Sequence, residues 1–132
     1  MEDLYIAATN ESPEIDFAFS QHRLRILGES YPENALSFYG PIRSRLEQYL
    51  GGVGAGAGQP VEVHFALKYF NSSSTKLIRL LVAMLHEAAA GGARILMHWH
   101  HDPDDDMMLE YGMDLREEFR QMEIRLVAVE AG

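Results

Sequence analysis

Between Val61 and Ala88 the apolar residues change period, and this change most narrows the folds open to the chain. Val61, Val63, Phe65, Leu67 and Tyr69 alternate with Glu62, His64, Ala66 and Lys68, the pattern of a half-buried strand. From Leu77 the step becomes three and four residues, through Ile78, Leu80, Leu81, Met84, Leu85 and Ala88, which predicts a strongly apolar helix. Gly91-Gly92 supplies its stop. A further alternation from Ala93 to Trp99, with Ile95 and Met97 in line, predicts the next strand. Strand, helix and strand in this order favour a crossover between parallel neighbours.

The same reading extends to both sides. Residues 4–8 and 14–19 are extended in pattern, with Ile15, Phe17 and Phe19 on one face. Leu24 and Ile26 continue the alternation after a hairpin turn at Ser20-Gln21-His22. Ser30 and Glu33 have capping-box spacing, with Pro32 in the first turn of the helix they predict. Its apolar face is Ala35, Phe38, Tyr39, Ile42, Leu46, Tyr49 and Leu50, and Gly40-Pro41 predicts a bend or a late start. Residues 51–59 are glycine-rich and read as a flexible loop. Asp102-Pro103-Asp104-Asp105-Asp106 precedes a helix faced by Met107, Met108, Tyr111, Leu115 and Phe119, and Ile124, Leu126, Val127 and Val129 predict a last strand. The order β, β, β, α, β, α, β, α, β predicts a single α/β domain over residues 1–132, with a mixed sheet, packed helices and hairpin strands at one edge.

Charge and composition remove several function classes. A net charge of −9 provides no basic patch for nucleic acid. The chain has no cysteine, so thiolate catalysis and cysteine metal sites are excluded. No apolar run approaches the roughly 20 residues of a membrane helix. The acidic start Met1-Glu2-Asp3 shows no signal peptide, so a cytoplasmic location is expected.

Tyr69-Phe70-Asn71-Ser72-Ser73-Ser74-Thr75-Lys76 falls at the junction between the strand and the apolar helix. The chain's two lysines, Lys68 and Lys76, bracket the hydroxyl run. Ser, Thr and Asn are preferred helix caps, so the run reads as a cap. It also reads as a phosphate acceptor, because a helix N-terminus favours a dianion. His98-Trp99-His100-His101-Asp102 carries a second constellation: on a strand His98 and His100 share a face, and Asp102 or Asp104 would complete a metal shell. The alternative is polar surface followed by a helix start. A small metal-dependent enzyme using His98 to Asp104 is thus one reading; a binding module without catalysis is the other. His64 and His86 read as lone histidines, packed or solvated. The glycine loop lacks the Lys-Ser/Thr pair of a phosphate loop, and no Gly-x-Ser-x-Gly elbow occurs.

Three stretches together resemble the SiaC family of regulatory phosphoproteins. They are Gly28-Glu29-Ser30-Tyr31-Pro32-Glu33-Asn34 with Phe38-Tyr39, then Tyr69 to Lys76, then Trp99 with Asp102, Asp104 to Asp106, Met108, Leu109, Glu110 and Gly112. The resemblance runs from about residue 4 to residue 125. It implies a fold like the STAS domain of anti-sigma factor antagonists, and a bacterial, cytoplasmic, non-enzymatic protein without a cofactor. It further implies phosphorylation by a partner-switching Ser/Thr kinase and dephosphorylation by a PP2C-like phosphatase. The unmodified form would bind and activate a diguanylate cyclase, or switch a related effector, raising cyclic-di-GMP and favouring aggregation or biofilm. The acceptor directly after Asn in the family motif corresponds to Ser72, with Ser73, Ser74 and Thr75 as alternatives. Asn71, Ser72, Ser73, Lys76 and Lys68 would form the partner-binding surface. His100 and His101 stand where the family commonly has aromatic residues, so no functional metal is expected at His98, His100 and Asp102.

Overall fold

Six strands form one mixed sheet in the order of the chain: β1 (Leu4–Ile6), β2 (Glu14–Ala18), β3 (Arg23–Ser30), β4 (Val61–Phe70), β5 (Ile95–His101) and β6 (Glu123–Ala128). The computed structural model describes residues 1–53 and 59–129. β1, β2 and β3 pair antiparallel; β3 through β6 pair parallel. The parallel strands are joined by α1 (Ala35–Gly51), α2 (Ser72–Ala90) and α3 (Asp106–Glu118). The mixed sheet, the hairpin edge and the element order match the sequence expectation. Residues 54–58 of the expected glycine-rich loop lie outside the described residues; Gly51 is the last residue of α1 and Gly52 its C-cap.

The sheet has two unlike faces. Ile15 and Phe17, Leu24 and Ile26, Val61 to Leu67 in alternation, Ile95, Met97 and Trp99, and Ile124 share one buried cluster with side chains from all three helices. α1 contributes Tyr39, Ile42 and Leu46, α2 contributes Ile78, Leu81, Val82 and Leu85, and α3 contributes Met108 and Leu115. The helices therefore pack on that face. The alternate residues, among them Asp16, Arg25, His64, His98 and Arg125, form the opposite face.

Local geometry corrects several expectations. α1 begins at Ala35 with Asn34 as its cap, the Asn34 side chain accepting from the Ser37 N–H. Ser30 is instead the last residue of β3 and is buried, so no Ser30–Glu33 capping box forms. Pro32 disfavours a helical conformation at Tyr31 and delays the start. Pro41 lies inside α1, where its ring removes one backbone donor. The Ser20 to His22 turn is a 3-10 turn over Phe19–Gln21, completed by His22 at φ 53°. Tyr69 does not continue the buried face of β4: the pairing with β3 shifts between Gly28 and Glu29, leaving Lys68 as the extra residue and Tyr69 51% exposed. Gly28 sits at φ +112°, a backbone state that suits glycine at this bulge. β5 runs on to His101 because β6 pairs with it as far as Ala128. Met107 is exposed rather than part of the apolar face of α3.

Trp99 fixes α3 to the sheet. Its ring is buried and its indole N–H donates to the Met108 carbonyl at 2.9 Å. Gly112, one turn further along α3, rests on the same ring; a Cβ there would lie 2.4 Å from Trp99 Cδ1 and 2.8 Å from Leu126 Cδ2. We expect Gly112→Ala to destabilise the protein by about 1–3 kcal/mol through overpacking, although alanine is the better helix former. Urea unfolding checks this, and a variant as stable as the parent would show that α3 moves off the sheet without cost.

Candidate functional site

β4 delivers the chain to α2 through a single capping residue. Asn71 is extended at φ −84°, ψ 176°, and its side chain accepts from the Ser74 N–H at 3.0 Å. The Asn71 N–H donates to the Ser30 carbonyl at 3.0 Å, so the cap is tied to the end of β3. The Asn71 carbonyl takes both the Thr75 N–H at 3.0 Å and the Thr75 hydroxyl at 2.9 Å. These bonds hold the turn whether or not its other hydroxyls are used.

The four hydroxyl residues then separate by environment. Ser74 is fully buried and its Oγ accepts from Ser30 Oγ at 2.8 Å. Thr75 is half-buried and occupied by the Asn71 carbonyl, while its own carbonyl accepts from the Tyr111 hydroxyl at 3.3 Å. Ser72 and Ser73, the first two residues of α2, are exposed. The exposed pair is thus Ser72 and Ser73, and Ser72 opens the helix where backbone N–H groups lack intrahelical acceptors.

Helical spacing sets Lys76 one turn beyond Ser72, on the same exposed side. Lys68 stands on β4, three residues before the Asn71 cap. It lines a groove of about 930 Å³ with Ala66, His100, Asp102, Asp105 and Met107, an acidic neighbourhood at the ends of β4 and β5. Neither lysine forms an ion pair among the described residues. Tyr31 and Tyr69 meet edge to face at 6.0 Å between ring centres and add aromatic surface beside the turn.

Under the turn lies a hydroxyl chain that sequence reading missed. Tyr39 Oη and Ser30 Oγ are 2.5 Å apart, and Ser30 donates its proton to Ser74. Burial pushes the Tyr39 phenol up to about 12, from an ordinary 10.0. The chain joins α1, β3 and the first turn of α2. The available signal was Ser30 and Tyr39 inside one motif; reading Ser30 as a cap obscured it.

The residues weighed for a metal fall differently from expectation. His98 and His100 do share the open face, but Asp102 has turned into the loop, where its side chain accepts from the Asp104 N–H. His64 is no lone histidine: its Nδ1 lies 3.0 Å from His100 Nε2, and its ring stacks on His98 at 4.4 Å. Burial, with the other histidines, holds His64 and His100 below the usual imidazole range.

The chain matches the profile of the SiaC family regulatory phosphoprotein over residues 6–129. It belongs to the SiaC family. It is 34% identical over 121 residues to an uncharacterised protein of Pseudomonas aeruginosa strain UCBPP-PA14, a match covering 92% of this chain and 90% of that one. The fold is similar to a chain in the crystal structure of the diguanylate cyclase SiaD in complex with its activator SiaC, from Pseudomonas aeruginosa. The TM-score is 0.85 at 30% identity, covering 96% of this chain and 100% of that one. Apo-SiaC from the same organism gives a TM-score of 0.77 at 30% identity, covering 97% of this chain and 100% of that one. No helix among the described residues is long and apolar enough to cross a membrane.

The buried phenol predicts how stability depends on alkali. Tyr39 ionises near 10.0 when unfolded and near 12 when folded, so its contribution is intact below 10 and is lost as pH rises through 12. Each tenfold change in proton affinity is worth roughly 1.4 kcal/mol, so the loss is on the order of 2–3 kcal/mol. Tyr49 is also raised to about 12 by burial, so it loses its contribution over the same pH range in parent and variant alike. Denaturant unfolding across this range should show the parent losing more stability than Tyr39→Phe. Equal losses would remove the phenol as the cause.

Proposed function

We propose that this protein is a phosphorylation-switched binding protein without catalytic activity, and that its unmodified form binds and activates a diguanylate cyclase. The observation that carries this reading is the exposed Ser72 at the start of α2, held by the Asn71 cap, in a chain of the SiaC family. The likeness to SiaC in its complex with the cyclase that it activates supports the choice of effector.

In this reading a Ser/Thr kinase phosphorylates Ser72 and a PP2C-like phosphatase restores it. The unphosphorylated turn, with Asn71, Ser73 and Lys76 and with Lys68 at its groove side, docks the cyclase. Phosphate adds about −1.5 to −2 charges and three acceptor oxygens at one exposed point. The first turn of α2 tolerates that charge, because its free N–H groups and the macrodipole favour an anion. The fold therefore stays as it is and the effect falls on the interface. A surface fitted to a neutral hydroxyl loses contact through bulk, and an acidic partner surface is repelled.

Two outcomes are expected. Ser72→Ala abolishes phosphorylation by the cognate kinase while leaving cyclase binding intact, as read by intact mass and titration calorimetry. Phosphorylated protein, and to a smaller extent Ser72→Asp, binds the cyclase at least about tenfold more weakly, a loss of roughly 1.4 kcal/mol. Undiminished phosphate on Ser72→Ala would move the acceptor to Ser73, the other exposed hydroxyl. Equal cyclase affinity for phosphorylated and unmodified protein would sink the switch itself.

A further inference from the structure

The open face of the sheet carries a constellation that the phosphorylation switch does not use. β3, β4, β5 and β6 align Arg25, His64, His98 and Arg125 in one cross-strand row. Glu62 stands two residues before His64 on β4, hence on the same face. One ligand atom each from Glu62, His64 and His98 lies within 4.8 Å of the other two. We propose that Glu62, His64 and His98 form a binding site for a divalent transition-metal ion of the zinc class.

Four observations support the site. Two ligands on one strand at i and i+2, with a third directly opposite on the neighbouring strand, are spaced by the pleat itself. The His98 side chain is 15% exposed, and its Nε2 is buried without a hydrogen-bond partner. That nitrogen lies 3.8 Å from Glu62 Oε1, too far for a hydrogen bond and close enough for both to reach one ion. His100 supplies an outer partner, its Nε2 lying 3.0 Å from His64 Nδ1; in the tautomer with the proton on His64 Nδ1, Nε2 of His64 is the atom free to ligate.

The neighbouring cations each have a carboxylate within reach. Arg25 is paired with Asp16, which also lies 3.9 Å from Arg23, the residue opposite Glu62, and Arg125 is paired with Glu123 at 2.7 Å. Two imidazoles and a carboxylate are a borderline donor set. They suit zinc, cobalt or nickel rather than the all-oxygen shells of calcium and magnesium. The His64 and His98 rings lie 5° from parallel at 4.4 Å, so their lone pairs run past one another. One ring must therefore turn about its Cβ–Cγ bond to load the ion. The half-exposed Glu62 leaves the fourth coordination position to water. A bound ion would tie β4 to β5 across the face that the helices leave uncovered.

The test uses the full-length protein without a histidine tag, titrated with zinc chloride by calorimetry and with cobalt(II) by visible absorption. The expected result is one equivalent of zinc, a cobalt spectrum of a low-coordinate site, and a rise in unfolding temperature on loading. Glu62→Gln, at a half-exposed position that should not disturb folding, and His98→Ala should each weaken zinc binding by about tenfold or more. His86→Ala, on α2, should bind like the parent. Absence of saturable one-to-one binding, or binding unchanged in either Glu62→Gln or His98→Ala, would overturn the assignment. Neither result bears on the cyclase reading, because Ser72 and its turn are untouched by these variants.

Discussion

Ser30 is a buried hydroxyl in an apolar layer, and a buried polar group costs stability unless it is bonded. Its three bonds settle the relation between separate parts of the chain. The hydroxyl meets Tyr39 of α1 and Ser74 of α2, and the carbonyl takes the N–H of Asn71. α1 cannot rotate about its axis, nor α2 start a residue earlier or later, without stranding one of these groups. The exposure of Ser72 and Ser73 follows. Ser74 is fixed inward, and a helix advances by about 100° per residue, so the two serines before it point away from the core.

The same frame separates the work of the two faces. The helix-covered face is continuous and apolar, and it supplies the stability. The turn at the end of β4 stands at the rim of that packed layer, so charge can be added there without entering it. A network that is already satisfied does not need the Ser72 hydroxyl, and for that reason modification need not repack the sheet. The open face holds histidines and ion pairs. Glu62 and His64 lie on β4, His98 on β5 and Ser72 on α2, so ion binding and phosphorylation can be tested with separate variants.

Net charge of −9 shapes how a partner meets this surface. Lys76 and Lys68 form no ion pair among the described residues of an acidic protein, and Lys68 lines a groove with Asp102 and Asp105. The rim therefore presents positive charge only locally. A dianion on Ser72 would reverse the sign of the charge at that point, and a tenfold affinity loss requires only about 1.4 kcal/mol.

Much of this was legible in one dimension. The period change between Val61 and Ala88 placed β4 and α2, and the alternation of Ile15, Phe17, Leu24 and Ile26 placed the hairpin, because burying one face leaves a repeat in the chain. The hydroxyl run marked the turn, since capping is local chemistry. What the sequence could not state was which hydroxyl is free. Ser72, Ser73, Ser74 and Thr75 are nearly equivalent as letters; the contact of Ser74 with Ser30, forty-four residues away, and the bond of Thr75 to the Asn71 carbonyl leave Ser72 and Ser73 as the exposed pair. Tyr69 left the buried face because of a bulge opposite Gly28, a property of pairing between two strands. Glu62 and His64 joined His98 because β4 lies beside β5, while Asp102, nearer in sequence, was turned away by its own loop. Periodicity and capping are short-range and survive in the sequence; register, burial of a single hydroxyl and the meeting of ligands across strands depend on distant segments, and only the tertiary structure decided them.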